Sequence, residues 1–208
     1  WAGSITLGGG QFCTKPGLAF TCSRSFANEV KSALEGLGDA IQLTADHTDL
    51  IDRFTAVGAT VVCGGPSDGF RWPPTLLKVD GTVFEANAEV LSTECFGPVA
   101  LLVEVDGLAQ MERIASRVEG QLTACVYAGK GDDPARLFTL LRSACGRLLQ
   151  NKMPTGVAVV SSMVHGGPFP ATGHPGFTAV GMPTSVARFA ARHCYDNVAD
   201  AYVPLCLR

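Results

Sequence analysis

With 208 residues, a formal net charge of -3 and a pI of about 5.8, the chain is long enough for a full core, and its charge points to neither nucleic acid nor an anionic membrane surface. Charged residues make up 17%, below the ~25% of an ordinary soluble domain, and the mean hydropathy is +0.23. No apolar run approaches the ~18 residues a membrane-spanning helix requires, so the apolar surplus leads us to expect a further domain or a subunit partner to cover it.

Along the chain, residues 2–7 are too short to classify by period, and the triplet Gly8-Gly9-Gly10 interrupts them. A short strand is predicted over 18–22. A helix follows over 25–36, with Val30, Leu34 and Leu37 on one face and Ser25 as its cap. A second helix is predicted over 45–57 through Leu50, Ile51, Phe54 and Val57, then a strand over 60–63. Residues 64–74 are rich in glycine and proline and read as a loop, with 75–79 extended beyond them. The run 98–105 (PVALLVEV) is almost continuously apolar, the mark of a strand covered on both faces.

Leu108, Met111, Ile114, Ala115 and Val118 give a helix over 108–118, and 122–127 is a strand. Asp132-Asp133-Pro134 opens a further helix whose face is Leu137, Leu140, Leu141 and Ala144. Strands are predicted over 146–151 and 157–160, a long loop over 163–183, a last helix over 184–193, and an irregular tail over 194–208. Strands alternating with helices of this length specify an α/β chain: a three-layer α/β/α sandwich around a mostly parallel sheet, in one domain.

The eight cysteines include no CxxC pair and none at zinc-ligand spacing with a histidine, so no metal site is expected. Several lie in apolar stretches, such as Cys63 and Cys125, where a thiol acts as a small hydrophobe. Reduced thiols and a cytoplasmic location are the expectation.

One thiol stands apart. Cys13 lies in Gly8-Gly9-Gly10-Gln11-Phe12-Cys13-Thr14-Lys15-Pro16-Gly17, a stretch able to bend tightly and leave main-chain N–H groups beside the sulfur. That suits a nucleophile with an oxyanion site; a glycine turn carrying a buried structural cysteine is the alternative on these residues alone. Of the four histidines, His165 and His174 fall in the long loop and would make a Cys–His dyad if it closed over Cys13, whereas capping suffices for His47 and His193. No GxGxxG or GxxxxGK[ST] sequence provides a phosphate loop.

Gly10-Gln11-Phe12-Cys13-Thr14, followed by Pro16, resembles the catalytic-cysteine segment of the aldehyde dehydrogenase superfamily. Glu94-Cys95-Phe96-Gly97-Pro98 resembles its second signature, an acid followed after one residue by Phe-Gly-Pro and a strand, at about the family's spacing. Residues 151–160 (NKMPTGVAVV) and 163–172 (MVHGGPFPAT) are similar to the branch containing the α-ketoglutaric semialdehyde (2,5-dioxovalerate) dehydrogenases and an NADP-preferring fatty aldehyde dehydrogenase. Most of the family carries a Pro-Phe-Gly-Gly segment here instead.

The resemblance covers essentially the whole chain. It implies that residues 1–208 are the catalytic, C-terminal half of a longer enzyme, with the N-terminal dinucleotide-binding domain absent. The absent N-terminal half would supply the glutamate activating the hydrolytic water and an asparagine for the oxyanion hole.

It further implies NAD(P)-dependent oxidation of an aldehyde, such as a semialdehyde, through a thiohemiacetal and a thioester on Cys13. Glu94 would hold the nicotinamide ribose hydroxyls and Phe96 would pack by the ring. Phe12, Thr14, Val164, His165 and Phe169 would line the substrate tunnel. The implied cofactor is NADP or NAD, the implied assembly a homo-oligomer, and the fragment alone would be inactive. Two other classes remain open on the residues: a cofactor-independent Cys–His hydrolase or acyltransferase, and a non-catalytic interaction module.

Overall fold

The apolar run 98–105 becomes the central strand β6 (Val99–Glu104), with all six residues buried. The computed structural model describes residues 1–43, 48–158, 160, 162, 163, 166–174 and 194–207. β6 is flanked by β1 (Leu18–Thr21) and β5 (Thr75–Asp80), both parallel to it, and β3 (Thr60–Cys63) completes a four-stranded sheet in the order β1-β6-β5-β3.

Alternation along the strands splits the core into two faces. Leu76, Ala100 and Leu102 pack with Ile5 of α1 (Ala2–Thr6) and with Ala27, Val30 and Leu34 of α2 (Phe26–Leu34). Leu77, Val79, Leu101 and Val103 face the other way. They meet Ile51 and Phe54 of α3 (Thr48–Ala56), Phe84 of α4 (Gly81–Ala86), Leu91 of α5 (Ala88–Leu91) and Ile114 of α6 (Leu108–Ala115). Helices therefore cover both faces of a mostly parallel sheet, the three-layer α/β/α arrangement expected from the sequence.

Several local expectations differ. β3 runs antiparallel to β5, because the 64–74 connection contains no crossover helix to bring the chain back for a parallel pairing. Within that connection β4 (Arg71–Trp72) pairs antiparallel with β2 (Ala40–Ile41). α2 stops at Leu34, since Glu35 turns extended and Gly36 takes φ +90°, so Leu37 lies beyond the helix face and is exposed. Ser25 makes no capping bond; its hydroxyl donates to Glu29 at 2.8 Å.

Residues 81–91, unassigned from the sequence, form α4 and α5, the first capped by Asp80 accepting from the Thr82 N–H at 2.8 Å. β7 (Gln121–Val126) and β8 (Cys145–Gln150) pair parallel with each other in a separate ribbon, backed by α7 (Ala135–Ala144) through Leu137, Val126 and Ala115. Of the strand expected over 157–160, the described residues Val157, Ala158 and Val160 carry none. The described residues of the tail form two single 3-10 turns, Asp200–Tyr202 and Leu205–Leu207. The helix expected over 184–193 and the start of that expected at 45–47 lie outside the described residues.

Candidate active site

Three successive glycines build the nucleophile loop. Gly8, Gly9 and Gly10 hold φ of +59°, +69° and +71°, a run that side chains with a Cβ resist. Space demands glycine too. A Cβ on Gly8 would meet the Phe12 ring at 2.5 Å, and one on Gly10 would stand 2.3 Å from the carbonyl carbon and oxygen of Gly97. The loop is thus pressed directly onto the 94–98 segment.

The chain then turns over Phe12–Lys15, with the Lys15 N–H donating to the Phe12 carbonyl at 3.0 Å. Cys13 and Thr14 occupy the two central positions; Cys13 is exposed, while Thr14 is buried. Gln11, whose role the sequence left open, ties the loop to β2: its amide donates to the Ile41 carbonyl at 3.0 Å and its oxygen accepts from the Leu43 N–H at 3.2 Å. Buried Gln42 adds a bond to the Gly9 carbonyl at 2.9 Å.

The facing segment 94–98 leads into β6 and alternates in exposure from Glu94 to Gly97. Glu94 and Phe96 are exposed, and Cys95 and Gly97 are buried. A carboxylate and an aromatic ring two residues apart are thus both open to solvent. Gly97 backs onto Trp72, whose ring would lie 3.0 Å from a Cβ there. Lys15 spans both segments: its ammonium donates to the carbonyl of Cys95, to that of Gly97 at 3.0 Å and to that of Val99 at 2.8 Å. Burial pulls the Lys15 amine below the ordinary lysine range, while the Cys95 and Glu94 side chains act to keep it charged.

Burial sorts the thiols. It pushes Cys95 and Cys125 up to about 11 and raises Cys63 and Cys145, favouring the neutral, unreactive form at each. Cys13, Cys22, Cys194 and Cys206 are exposed. Of these, Cys13 alone sits in the glycine loop that Gly10 and Lys15 join to the 94–98 segment. Arg147, on β8, also lies close enough to feel the Cys13 charge; burial lowers its pKa, and Cys125 and then Cys13 offset that. Its guanidinium donates to the Pro154 carbonyl and to the Met163 sulfur at 3.4 Å, with its buried Nε unpartnered. Nothing in the local sequence distinguishes Arg147, since only the pairing of β7 with β8 sets its position.

Of the proposed tunnel residues, Phe12 lies over Gly8 and Thr14 is in the cysteine turn. Phe169 is 82% exposed on a turn closed by the Ala171 N–H donating to the Pro168 carbonyl at 3.0 Å, and that turn is anchored against Gly120. Val164 and His165 lie outside the described residues, as do His47 and His193. Among the described residues no group of three His, Cys, Asp or Glu side chains could hold a metal ion, and no helix is long and apolar enough to cross a membrane.

An exposed thiol on a loop packed against a segment with an exposed carboxylate and ring fits nucleophilic capture of a carbonyl next to a hydroxyl-bearing, planar cofactor. The family model described as the aldehyde dehydrogenase family matches residues 42–169. The chain is similar to alpha-ketoglutaric semialdehyde dehydrogenase 2 of Azospirillum brasilense, at 35% identity over 97% of this chain and 40% of that one. It is also similar to alpha-ketoglutaric semialdehyde dehydrogenase of Acinetobacter baylyi, at 33% identity over the same shares. Among solved structures, the Delta-pyrroline-5-carboxylate dehydrogenase of Mycobacterium tuberculosis superposes with a TM-score of 0.67 at 22% identity, over 97% of this chain and 41% of that one. The chain spans about 40% of the length of the curated relatives it matches.

Proposed function

The chain belongs to the aldehyde dehydrogenase family, and we propose that it carries the nucleophile and the nicotinamide-side contacts for oxidation of an aldehyde to its carboxylic acid. The observation that carries this reading is the seating of the Cys13 turn on the 94–98 segment through Gly10 and Lys15.

In the proposed reaction the Cys13 thiolate attacks the aldehyde carbon, forming a C–S bond and leaving the oxygen as an alkoxide that the Cys13 main-chain N–H stabilises. A nicotinamide dinucleotide, when bound, supplies the acceptor for the hydride that leaves this carbon. The product on Cys13 is a thioester. Water attacks it, the carboxylic acid departs, and the thiolate is restored as a good leaving group. Glu94, exposed, would accept from the ribose hydroxyls of the bound dinucleotide. Phe96, also exposed, would offer an aromatic face to its nicotinamide.

The similarity to the two semialdehyde dehydrogenases supports α-ketoglutaric semialdehyde as the substrate, with NADP or NAD as the oxidant. Val164, His165 and Phe169, with Phe12 and Thr14, line its path. In the whole enzyme an amino-terminal region supplies the hydrolytic base, an oxyanion donor and most of the dinucleotide contacts, so residues 1–208 alone do not turn over. Eight free cysteines suit a cytoplasmic enzyme, and the apolar surplus suits a homo-oligomer. A cofactor-independent Cys–His hydrolase would leave Glu94 and Phe96 without a task.

In the full-length enzyme, Cys13→Ala should abolish NAD(P)H formation from α-ketoglutaric semialdehyde while the thermal transition stays in place. Sustained turnover by Cys13→Ala would overturn the proposal.

A further inference from the structure

Cys13 is bracketed by two contacts with the facing segment, Gly10 on one side and Lys15 on the other. The second is chemically unusual. A lysine ammonium has three N–H donors, and here they meet three main-chain carbonyls, those of Cys95, Gly97 and Val99. The three carbonyls, each two residues from the next, converge on this one ammonium and so share one edge of the chain. Lys15 reads that edge as a neighbouring strand would, except that it brings a positive charge. Gly17 makes the approach possible, since a Cβ there would lie 3.0 Å from Lys15 Nζ.

We propose that the Lys15 ammonium is a tethered cation, a positioning residue that holds the stretch carrying Glu94 and Phe96 in register with the Cys13 turn. The inference rests on the reading of Glu94 and Phe96 as the contacts to the dinucleotide. The ion pairs formed among the described residues do not include Lys15, so its hydrogen bonds go to carbonyl dipoles, with Glu94 supporting its charge from beyond ion-pair distance. Burying a cation is costly unless each donor is satisfied, and all three are. The exposed side chains of Glu94 and Phe96 alternate with residues whose carbonyls Lys15 holds, so releasing the ammonium frees the dinucleotide-facing stretch to shift against the sulfur. Three carbonyls left without the lysine would form a cradle for a small monovalent cation.

The test uses the full-length enzyme. Lys15→Ala should raise the KM for NAD(P) about tenfold, the worth of one charge-assisted hydrogen bond, with a smaller loss in kcat. Ammonium chloride should restore that KM, whereas tetramethylammonium chloride at equal ionic strength should not, because the bulky cation cannot reach the carbonyls. Lys15→Met, which fills the space without charge, should show the raised KM and no response to ammonium; it carries the test should Lys15→Ala fail to fold. An unchanged NAD(P) KM in either variant, or a defect in Lys15→Ala that ammonium leaves untouched, would overturn the inference. If the wild-type enzyme does not reduce NAD(P) at all, the functional reading fails instead, and the two failures are told apart by that control.

Discussion

Gly10 stands so close to Gly97 that a methyl group on it would sit 2.3 Å from the Gly97 carbonyl carbon and oxygen and 2.5 Å from the Pro98 nitrogen. Backbone lies against backbone, so no side-chain rotation relieves the contact. The loop bearing Cys13 and the stretch bearing Glu94 and Phe96 are therefore registered by a glycine.

Gly10→Ala should cost about 2–4 kcal/mol in the full-length protein, from the positive φ and from the enforced separation of the two segments. Gly3→Ala, with nothing within 4 Å and inside α1, should be neutral or slightly stabilising by up to about 1 kcal/mol. Denaturant midpoints of the two variants check this; equal midpoints would contradict the close packing.

Cys95 follows Glu94 in sequence yet should behave as an inert core thiol. At pH 8 a group titrating at about 11 is ionised in roughly one molecule in a thousand, so iodoacetamide should label exposed Cys13 and leave Cys95 untouched, as peptide mapping would show. The same burial makes stability pH-dependent. The folded chain holds the Cys95 proton more tightly than the unfolded chain, whose thiol titrates near 9.0. Stability should therefore fall by about 2 kcal/mol as pH rises from 9 to 11, and Cys95→Ala should remove that part of the decline.

Glu94 and Phe96 are exposed and contribute little to the core, so their removal should spare the fold. Glu94→Gln in the full-length enzyme should raise the NAD(P) KM about tenfold or more with the thermal midpoint unchanged. Phe96→Ala should lower kcat more than it raises that KM, because the ring fixes distance rather than affinity. Identical kinetics for Glu94→Gln and wild type would remove Glu94 from the site.

Much of this protein was legible locally. The apolar run 98–105 specifies a strand buried on both faces because no polar side chain interrupts it, and Leu137, Leu140 and Leu141 mark the inner face of α7 by their spacing. The glycines before Cys13 and the Glu94–Pro98 signature carry the candidate site because each is a short, contiguous run of residue types. Other features depended on partners distant in the chain. The antiparallel course of β3, the helices over 81–91 and the separate β7–β8 ribbon follow from which surfaces each element finds, not from its own period.

The division is sharpest around the nucleophile. Sequence alone singled out Cys13, Glu94 and Phe96 and assigned the family they resemble. The tertiary structure decided how they are held: Gly10 against Gly97, Gln11 on β2, Arg147 brought near from β8, and Lys15 across 82 residues of chain to the Gly97 carbonyl. Such contacts are hydrogen bonds and backbone approaches between segments that meet only when the sheet forms, and no local pattern of residue types encodes them.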